Sequence, residues 1–328
     1  MKSKIRIDII NKLYMLHKNI LPILLLFMFA LANAQKDEKT TKQETFKSEI
    51  IRIETELSSD KMEGRAMFTA GIDSASKFID KEFSKINLQK FVALKNYRQE
   101  FKVEGKPANN VIGILQGKSK PDEYVIFSAH YDHLGTVASG NDKIYNGAND
   151  DASGVTAVIA LAKHYKEMNI NERTLIFVAF TGEETGGFGS KYFSNNINPD
   201  KVVAMFNIEM IGTESKWGKN SAYITGYEKS DFGVILQKNL KNSQFKFYPD
   251  PYESENLFYR SDNATLAYLG VPAHTISTSK MDVEPNYHQL SDDVSTLDMD
   301  NMTEIIKSLI ISSQSIILGK DTPTRVKE

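Results

Sequence analysis

Short apolar runs alternate with longer stretches of helical periodicity along this 328-residue chain. The strand candidates are residues 110–115, 124–129, 174–180, 202–208, 222–225 and 273–277. Helical spacing of apolar residues fits 72–86, 153–165, 187–195, 230–240 and 300–318. The alternation predicts an α/β fold, a three-layer α/β/α sandwich with a central mixed, mostly parallel β-sheet whose inner strands are buried on both faces.

The N-terminal segment 1–34 reads as a signal peptide for export to the periplasm or the medium. Its apolar run LPILLLFMFAL is too short to span a bilayer and is followed by the cleavage pattern Ala32-Asn33-Ala34. A start at Met15 would give a signal of ordinary length, and a retained anchor is the alternative interpretation. We expect a flexible leader over 35–44, a single domain over 45–320 and a polar tail over 321–328.

Composition narrows the chemistry that the mature chain can perform. It contains no cysteine, which excludes disulfides and thiolate metal ligands. Loss of residues 1–34 changes the formal net charge from −2 to −6, which argues against nucleic acid or an anionic membrane as partner. Any bound metal must therefore be held by His, Asp and Glu.

Histidine and acidic residues follow the predicted strands at the points where ligands bind in open α/β sheets. His130 follows the run 124–129, Glu183 and Glu184 follow 174–180, and Glu209 follows 202–208. Each of these residues alone could be a helix cap, a solvated turn or a core histidine. Together they belong at one edge of one sheet and are of the types that bind zinc.

A pair of metal ions needs a bridging carboxylate, terminal ligands for each ion and a free base. His130, Asp150 and Glu209 can serve one metal, while Asp150, Glu184 and His288 serve the other. Glu183 is then free to act as base, and Asp132 is placed to accept the second imidazole proton of His130. We expect His133 to pack in its loop or at the pocket rim.

Several sequence blocks resemble metallopeptidase family 28, the secreted zinc aminopeptidases. They are LSSDKMEGR, NNVIGILQG, SAHYDHLG, NGANDDASGVTAV, AFTGEETGGFGS, FNIEMIG, RSDNATLAYLGVPA and YHQLSDD. The resemblance implies two Zn²⁺ per chain, held by His130, Asp150, Glu184, Glu209 and His288, with Asp150 bridging. It also implies that Glu183 is the general base, that Asp132 supports His130, and that Tyr287 stabilises the oxyanion.

The chain departs from the family pattern at two places. Glu209 stands where many members have Asp, and Ser261-Asp262-Asn263 replaces a more common Ser-Asp-His, so we assign that block no catalytic role. The expected activity is that of an aminopeptidase which cleaves the N-terminal bond of peptides by means of a metal-bridging hydroxide. A single-zinc glutaminyl cyclase and a catalytically silent peptide- or metal-binding protein are the alternatives.

Overall fold

The structure, a computed structural model, describes residues 43–91 and 94–327. The chain divides into two compact units, Met1–Ser48 and Glu49–Glu328. Of the first unit the described residues are 43–48, the first residues of helix α1 (43–57). The predicted signal peptide and most of the predicted leader lie outside the described residues. None of the helices within 43–91 and 94–327 is both long and apolar enough to span a bilayer.

A mixed nine-stranded sheet forms the centre of the second unit. Its strands are β1 (Gln89–Lys90), β2 (Arg98–Val103), β3 (Lys106–Leu115), β4 (Lys120–His130), β7 (Arg173–Phe180), β8 (Val202–Ile208), β9 (Ser221–Ile224), β10 (Lys246–Pro249) and β11 (Ala273–Ser277). The spatial order is β1-β3-β7-β4-β8-β11-β9-β10, with β2 paired to β3. Strands β5 (Gly135–Thr136) and β6 (Ile144–Tyr145) form a separate small ribbon.

Strand direction differs between the middle and the flanks of the sheet. Strands β7, β4, β8 and β11 run parallel to one another. The pairings of β3 with β7 and of β11 with β9 are antiparallel. The sheet is mixed, as predicted. Its parallel pairs lie chiefly among the four central strands β7, β4, β8 and β11.

Helices cover both faces of the sheet. They are α2 (Ala70–Ile86), α3 (Ser153–Met168), α4 (Phe188–Ser194), α5 (Phe232–Asn239), α6 (Asn263–Ala267), α7 (Met299–Ser312) and α8 (Gln314–Ile317). On one face Tyr165 of α3 stacks on Phe127, which also stacks on Phe177 and Phe206. On the other face Phe193 of α4 joins a buried apolar cluster with residues of α6 and of strands β4 and β7. The predicted three-layer arrangement is confirmed.

The central strands agree with the sequence prediction better than the edge strands. Strands β8 and β11 have the predicted bounds, and β3, β4, β7 and β9 overlap their predicted runs. The short strands β1 and β10 and the charged β2 are missing from the prediction. The predicted helix 300–318 is interrupted at Ser313, which separates α7 from α8.

The central parallel strands bring the site residues to one edge. His130 is the last residue of β4, and Glu183 and Glu209 follow the ends of β7 and β8. Because β4 lies between β7 and β8, these three strand ends are neighbours. Sheet order therefore places together residues that are far apart in sequence.

Candidate metal centre

The two carboxylate oxygens of Asp150 face two different histidines. Oδ1 lies 3.2 Å from Nε2 of His130, and Oδ2 lies 3.3 Å from Nε2 of His288. Asp150 itself is 2% exposed. A carboxylate that presents one oxygen to each of two imidazoles has the arrangement that a metal-bridging ligand requires.

Buried Arg65 holds the loop that leads to Asp150. Its guanidinium donates to the carbonyl oxygens of Leu57 (2.8 Å), Tyr131 (2.8 Å), Asn146 (2.6 Å) and Gly147 (2.8 Å). Arg65 therefore fixes the segment after His130 to the segment before Asp150.

Asp292 holds the same loop from the other side. Its Oδ1 accepts from the amide of Asn149 at 2.8 Å, and its Oδ2 accepts from the amide of Asp150 at 3.0 Å. Its own carbonyl accepts from the amide of Ala148. Three successive amides are thus bound by one residue of the YHQLSDD block, and the Asp150 backbone is held in place before any ion is bound.

The carboxylate of Asp151 accepts hydrogen bonds from three elements that carry or adjoin the candidate ligands. Its Oδ2 accepts from the amide of His130 at 3.2 Å, and its Oδ1 accepts from the amides of Gly154 at 3.0 Å and Met210 at 3.1 Å. These amides belong to the end of β4, the start of α3 and the segment after β8. The carboxylate is fully buried, so these bonds are not exchanged for bonds to water.

Asp132 lies beside His130, but its carboxylate has a different main role from the predicted one. Nδ1 of His130 is 3.1 Å from the main-chain carbonyl of Asp132 and 3.8 Å from its Oδ1. The carboxylate instead accepts from the amides of Glu183 at 3.1 Å and Glu184 at 3.3 Å. The predicted contact between His130 and Asp132 is thus made by the main-chain carbonyl of Asp132, while its carboxylate is engaged by the two glutamate amides.

The two consecutive glutamates face different surroundings. Oε2 of Glu184 lies 3.1 Å from Nε2 of His288, beside the bridging Asp150. Glu183 lines the cleft in front of the centre, and burial raises its pKa well above the ordinary value. The structure thus places Glu184 with the ligand candidates and Glu183 in the lining of the cleft beside them.

Glu209 completes the predicted set at the end of β8. It lines the cleft with Asp150 and Glu184. Burial raises its pKa, and the nearby charge of His130 lowers it in part. Its side chain, longer than the Asp of many family members, also lies near Asn207 and near Ser261 of the Ser261-Asp262-Asn263 block.

His288 reaches the centre from an unusual backbone conformation. Its φ is 56°, in the left-handed region, which costs a non-glycine residue on the order of 1–3 kcal/mol. Tyr287 stacks on its ring with centroids 4.0 Å apart and lines the cleft. Tyr287 therefore lies at the cleft, and its implied role at the oxyanion stays a prediction.

His133 is the residue that sequence reasoning left out of the centre. Its Nδ1 lies 2.9 Å from Oε1 of Glu184 and 3.9 Å from Oδ2 of Asp150. These three residues are close enough together that a cation could lie among them. In the sequence, only the position of His133 three residues after His130 indicates that it lies near the centre.

The residues present fit divalent cations. The hydrogen bonds to Asp150 and Glu184 raise the pKa of His288 to about 10. Burial tends to lower the pKa of His130, but its hydrogen bond to Asp150 and the charge of Glu183 raise it overall. The carboxylates thus stabilise positive charge on the two imidazoles that face them. Borderline nitrogen and hard oxygen ligands around such a site suit zinc.

The fold and the centre together define an α/β protein with metal-ligand side chains at the carboxyl ends of its central strands. The model of the family described as Peptidase family M28 matches residues 110–311, well over half of the chain. This chain belongs to peptidase family M28.

Curated relatives match parts of the chain. Aminopeptidase Y of Saccharomyces cerevisiae is 28% identical over 200 residues, covering 55% of this chain and 34% of the relative. A probable zinc metalloprotease of Pyrenophora teres f. teres is 35% identical over 107 residues, 31% of this chain and 22% of the relative. The chain thus spans only about a fifth to a third of the length of these relatives.

Solved structures share the fold. A zinc aminopeptidase of Bacillus subtilis has a TM-score of 0.65 at 15% identity, covering 86% of this chain and 98% of that one. A glutaminyl cyclase of Porphyromonas gingivalis has a TM-score of 0.62 at 14% identity, covering 83% and 98%. The fold is therefore common to enzymes of both kinds.

Proposed function

We propose that this protein is an exported aminopeptidase that binds two zinc ions and hydrolyses the N-terminal bond of peptides. The observation that carries the proposal is the bridging arrangement of Asp150, with His130 at one oxygen and His288 at the other. Membership of a peptidase family and the zinc aminopeptidases of the same fold support it.

His130, Asp150 and Glu209 would hold one zinc, and Asp150, Glu184 and His288 the other. When bound, zinc lowers the pKa of water and polarises a carbonyl. Glu183 takes the proton of the attacking water and later delivers it to the leaving amine. The hydroxyl of Tyr287 donates to the oxygen of the scissile carbonyl as negative charge develops there.

The cleft favours a substrate with a free α-amine. Its wall presents the carboxylates of Glu183, Glu184 and Glu209 within one small cavity. A positively charged N-terminus offsets this negative charge, whereas an internal peptide bond brings no charge to the site. An N-acetylated peptide is therefore expected to be a poor substrate.

The deciding experiment measures two products in one sample. Aminoacyl p-nitroanilides and peptides with N-terminal glutamine are supplied to the mature protein, and bound zinc is counted. Chelator-sensitive release of amino acids with about two zinc ions per chain is expected. Pyroglutamate formation with one zinc would overturn the proposal in favour of a cyclase, and zinc binding without turnover would indicate a silent binding protein.

The proposal that the protein is exported is based on its N-terminal sequence and needs a separate experiment. The full chain, expressed in a bacterial host, should yield a mature form that begins at Gln35 in the periplasm or medium, as judged by N-terminal sequencing. An uncleaved chain in the membrane fraction would indicate a retained anchor instead.

A further inference from the structure

We propose that His133 is a positioning residue for the metal-binding carboxylate of Glu184. Its Nδ1–H donates to Oε1 of Glu184 and thereby leaves Oε2, which faces His288, as the oxygen that would bind an ion. The proposal rests on the proposed zinc centre, because it assigns His133 a role only with Glu184 as a ligand.

The two oxygens of Glu184 are used by two different imidazoles. Oε1 lies 2.9 Å from Nδ1 of His133, and Oε2 lies 3.1 Å from Nε2 of His288. An ionised carboxylate only accepts hydrogen bonds, so Nδ1 of His133 must carry the proton. A carboxylate with one oxygen held in this way is restricted to binding the metal through the other.

The distances favour a hydrogen bond over coordination by His133. Two atoms bound to one tetrahedral zinc at about 2.0–2.1 Å lie roughly 3.3 Å apart. Nε2 of His288 is 3.3 Å from Oδ2 of Asp150 and 3.1 Å from Oε2 of Glu184, as expected for shared ligands. Nδ1 of His133 is 3.9 Å from Oδ2 of Asp150, longer than the separation of two ligands of one tetrahedral zinc, and 2.9 Å from Oε1 of Glu184, a hydrogen-bond distance.

The ring is built into the protein from several sides. The backbone amide of His133 donates to the carbonyl of Arg65 at 3.2 Å. A Cβ at Gly147 would lie 2.5 Å from Cδ2 of the ring, so only glycine leaves room for it. The ring is fully buried, and its Nε2 has no hydrogen-bond partner among the described residues. Among the described residues, the bond to Glu184 is therefore the one hydrogen bond that the His133 side chain makes.

Three variants test the proposal by zinc affinity, measured by competition with a chelator, and by X-ray absorption at the zinc edge. His133→Ala should weaken one of two bound zinc ions by roughly 10- to 100-fold and leave the other unchanged. His133→Asn, whose amide N–H can take the place of Nδ1–H, should restore that affinity to within a few-fold. His133→Gln places its amide farther out and should not restore it.

Each other outcome overturns the proposal in a distinct way. If His133→Asn stays as weak as His133→Ala and the zinc spectrum loses imidazole scattering, His133 is a ligand. If all three variants bind both ions as the wild type does, the residue has no positioning role. Equal loss at both sites, with equal loss of thermal stability in the zinc-free variants, would make its role structural. A wild type that binds no zinc would refute the proposed centre itself.

Discussion

The guanidinium Nε of Arg65 donates to the main-chain carbonyl of Tyr131 at 2.8 Å, across 66 residues of sequence. The same side chain is 1% exposed and binds further carbonyls on the Asp150 loop. A single cation thus fixes the spacing between the chain segments that carry His130 and Asp150.

Arg65→Ala should destabilise the zinc-free protein by more than about 3 kcal/mol, because several buried carbonyls lose their donor. Arg65→Lys should recover little, since one ammonium cannot replace the planar fork. Urea unfolding measures the loss. Lys61→Ala is the control: the Lys61 side chain is 76% exposed and pairs with Glu56, which is 39% exposed, so its loss should cost less than about 1 kcal/mol. Similar losses in both variants would contradict the assigned role of Arg65.

Glu183→Gln should lower kcat by about 10²–10⁴-fold and leave zinc content unchanged, because the amide cannot accept the proton of water. Steady-state kinetics on an aminoacyl p-nitroanilide and zinc analysis of the same sample measure both. Glu253→Gln, at an exposed glutamate outside the cleft lining, should keep wild-type kinetics. An active Glu183→Gln protein would rule out Glu183 as the base.

Zinc binding at pH 8 should release protons. The pKa of His288 is raised to about 10 by Asp150 and Glu184, so its imidazole is protonated at pH 8 and must become neutral to bind metal. Zinc affinity should therefore rise with pH up to that value. Calorimetry in buffers of different ionisation enthalpy counts the protons. His288→Ala should release about one fewer proton, whereas His164→Ala, in helix α3, should not change the count.

Glu54 should make stability fall as pH rises. Thr156 donates to its Oε2 at 2.8 Å, and burial raises its pKa from 4.5 to about 8. Between these values the unfolded chain has lost a proton that the folded chain keeps, so the free energy of unfolding decreases by up to about 1.4 kcal/mol per pH unit.

Glu54→Gln should remove this slope, as measured by urea unfolding of zinc-free protein between pH 5.5 and 7.5. Glu56→Gln, on the same helix but partly exposed, should retain it. Parallel curves for wild type and Glu54→Gln would show that Glu54 does not keep its proton in the folded state.

The cleft should prefer apolar first residues. Met210, Leu257 and Met281 line it beside the carboxylates. Leucine and methionine p-nitroanilides should have kcat/KM values at least about tenfold above those of aspartate and glutamate, which the negative charge of the site repels. Met281→Ala should reduce the preference for leucine over alanine. Met168→Ala, on exposed surface, should leave it unchanged.

Much of the fold was predictable because the central strands are buried on both faces. Every residue of β7 is buried, so its apolar run stands out in sequence. Strand β2 has four polar residues among its six because one of its faces is exposed, and α6 is too short for helical periodicity to be visible. Edge strands and single turns depend on tertiary contacts that local sequence does not specify.

The ligand candidates were predictable for a different reason. His130, Glu184 and Glu209 follow buried strands, and the order of parallel strands brings such positions to one edge. Arg65 and Asp292 act on main-chain groups, and no side-chain pattern tells which carbonyl or amide a distant residue will bind. The sequence does not place His133 at the centre, because its contact with Oε1 of Glu184 depends on how the two side chains are oriented in the fold.

Asp151 has a consequence for how the protein exchanges its ions. Because its buried carboxylate ties β4, α3 and the segment after β8 together, we expect the candidate ligands to be brought together by folding without metal, unlike those of a zinc finger. The chain should therefore act as a preformed chelator. Dialysis against a chelator should leave the sheet intact, and cobalt or manganese should enter without any refolding step.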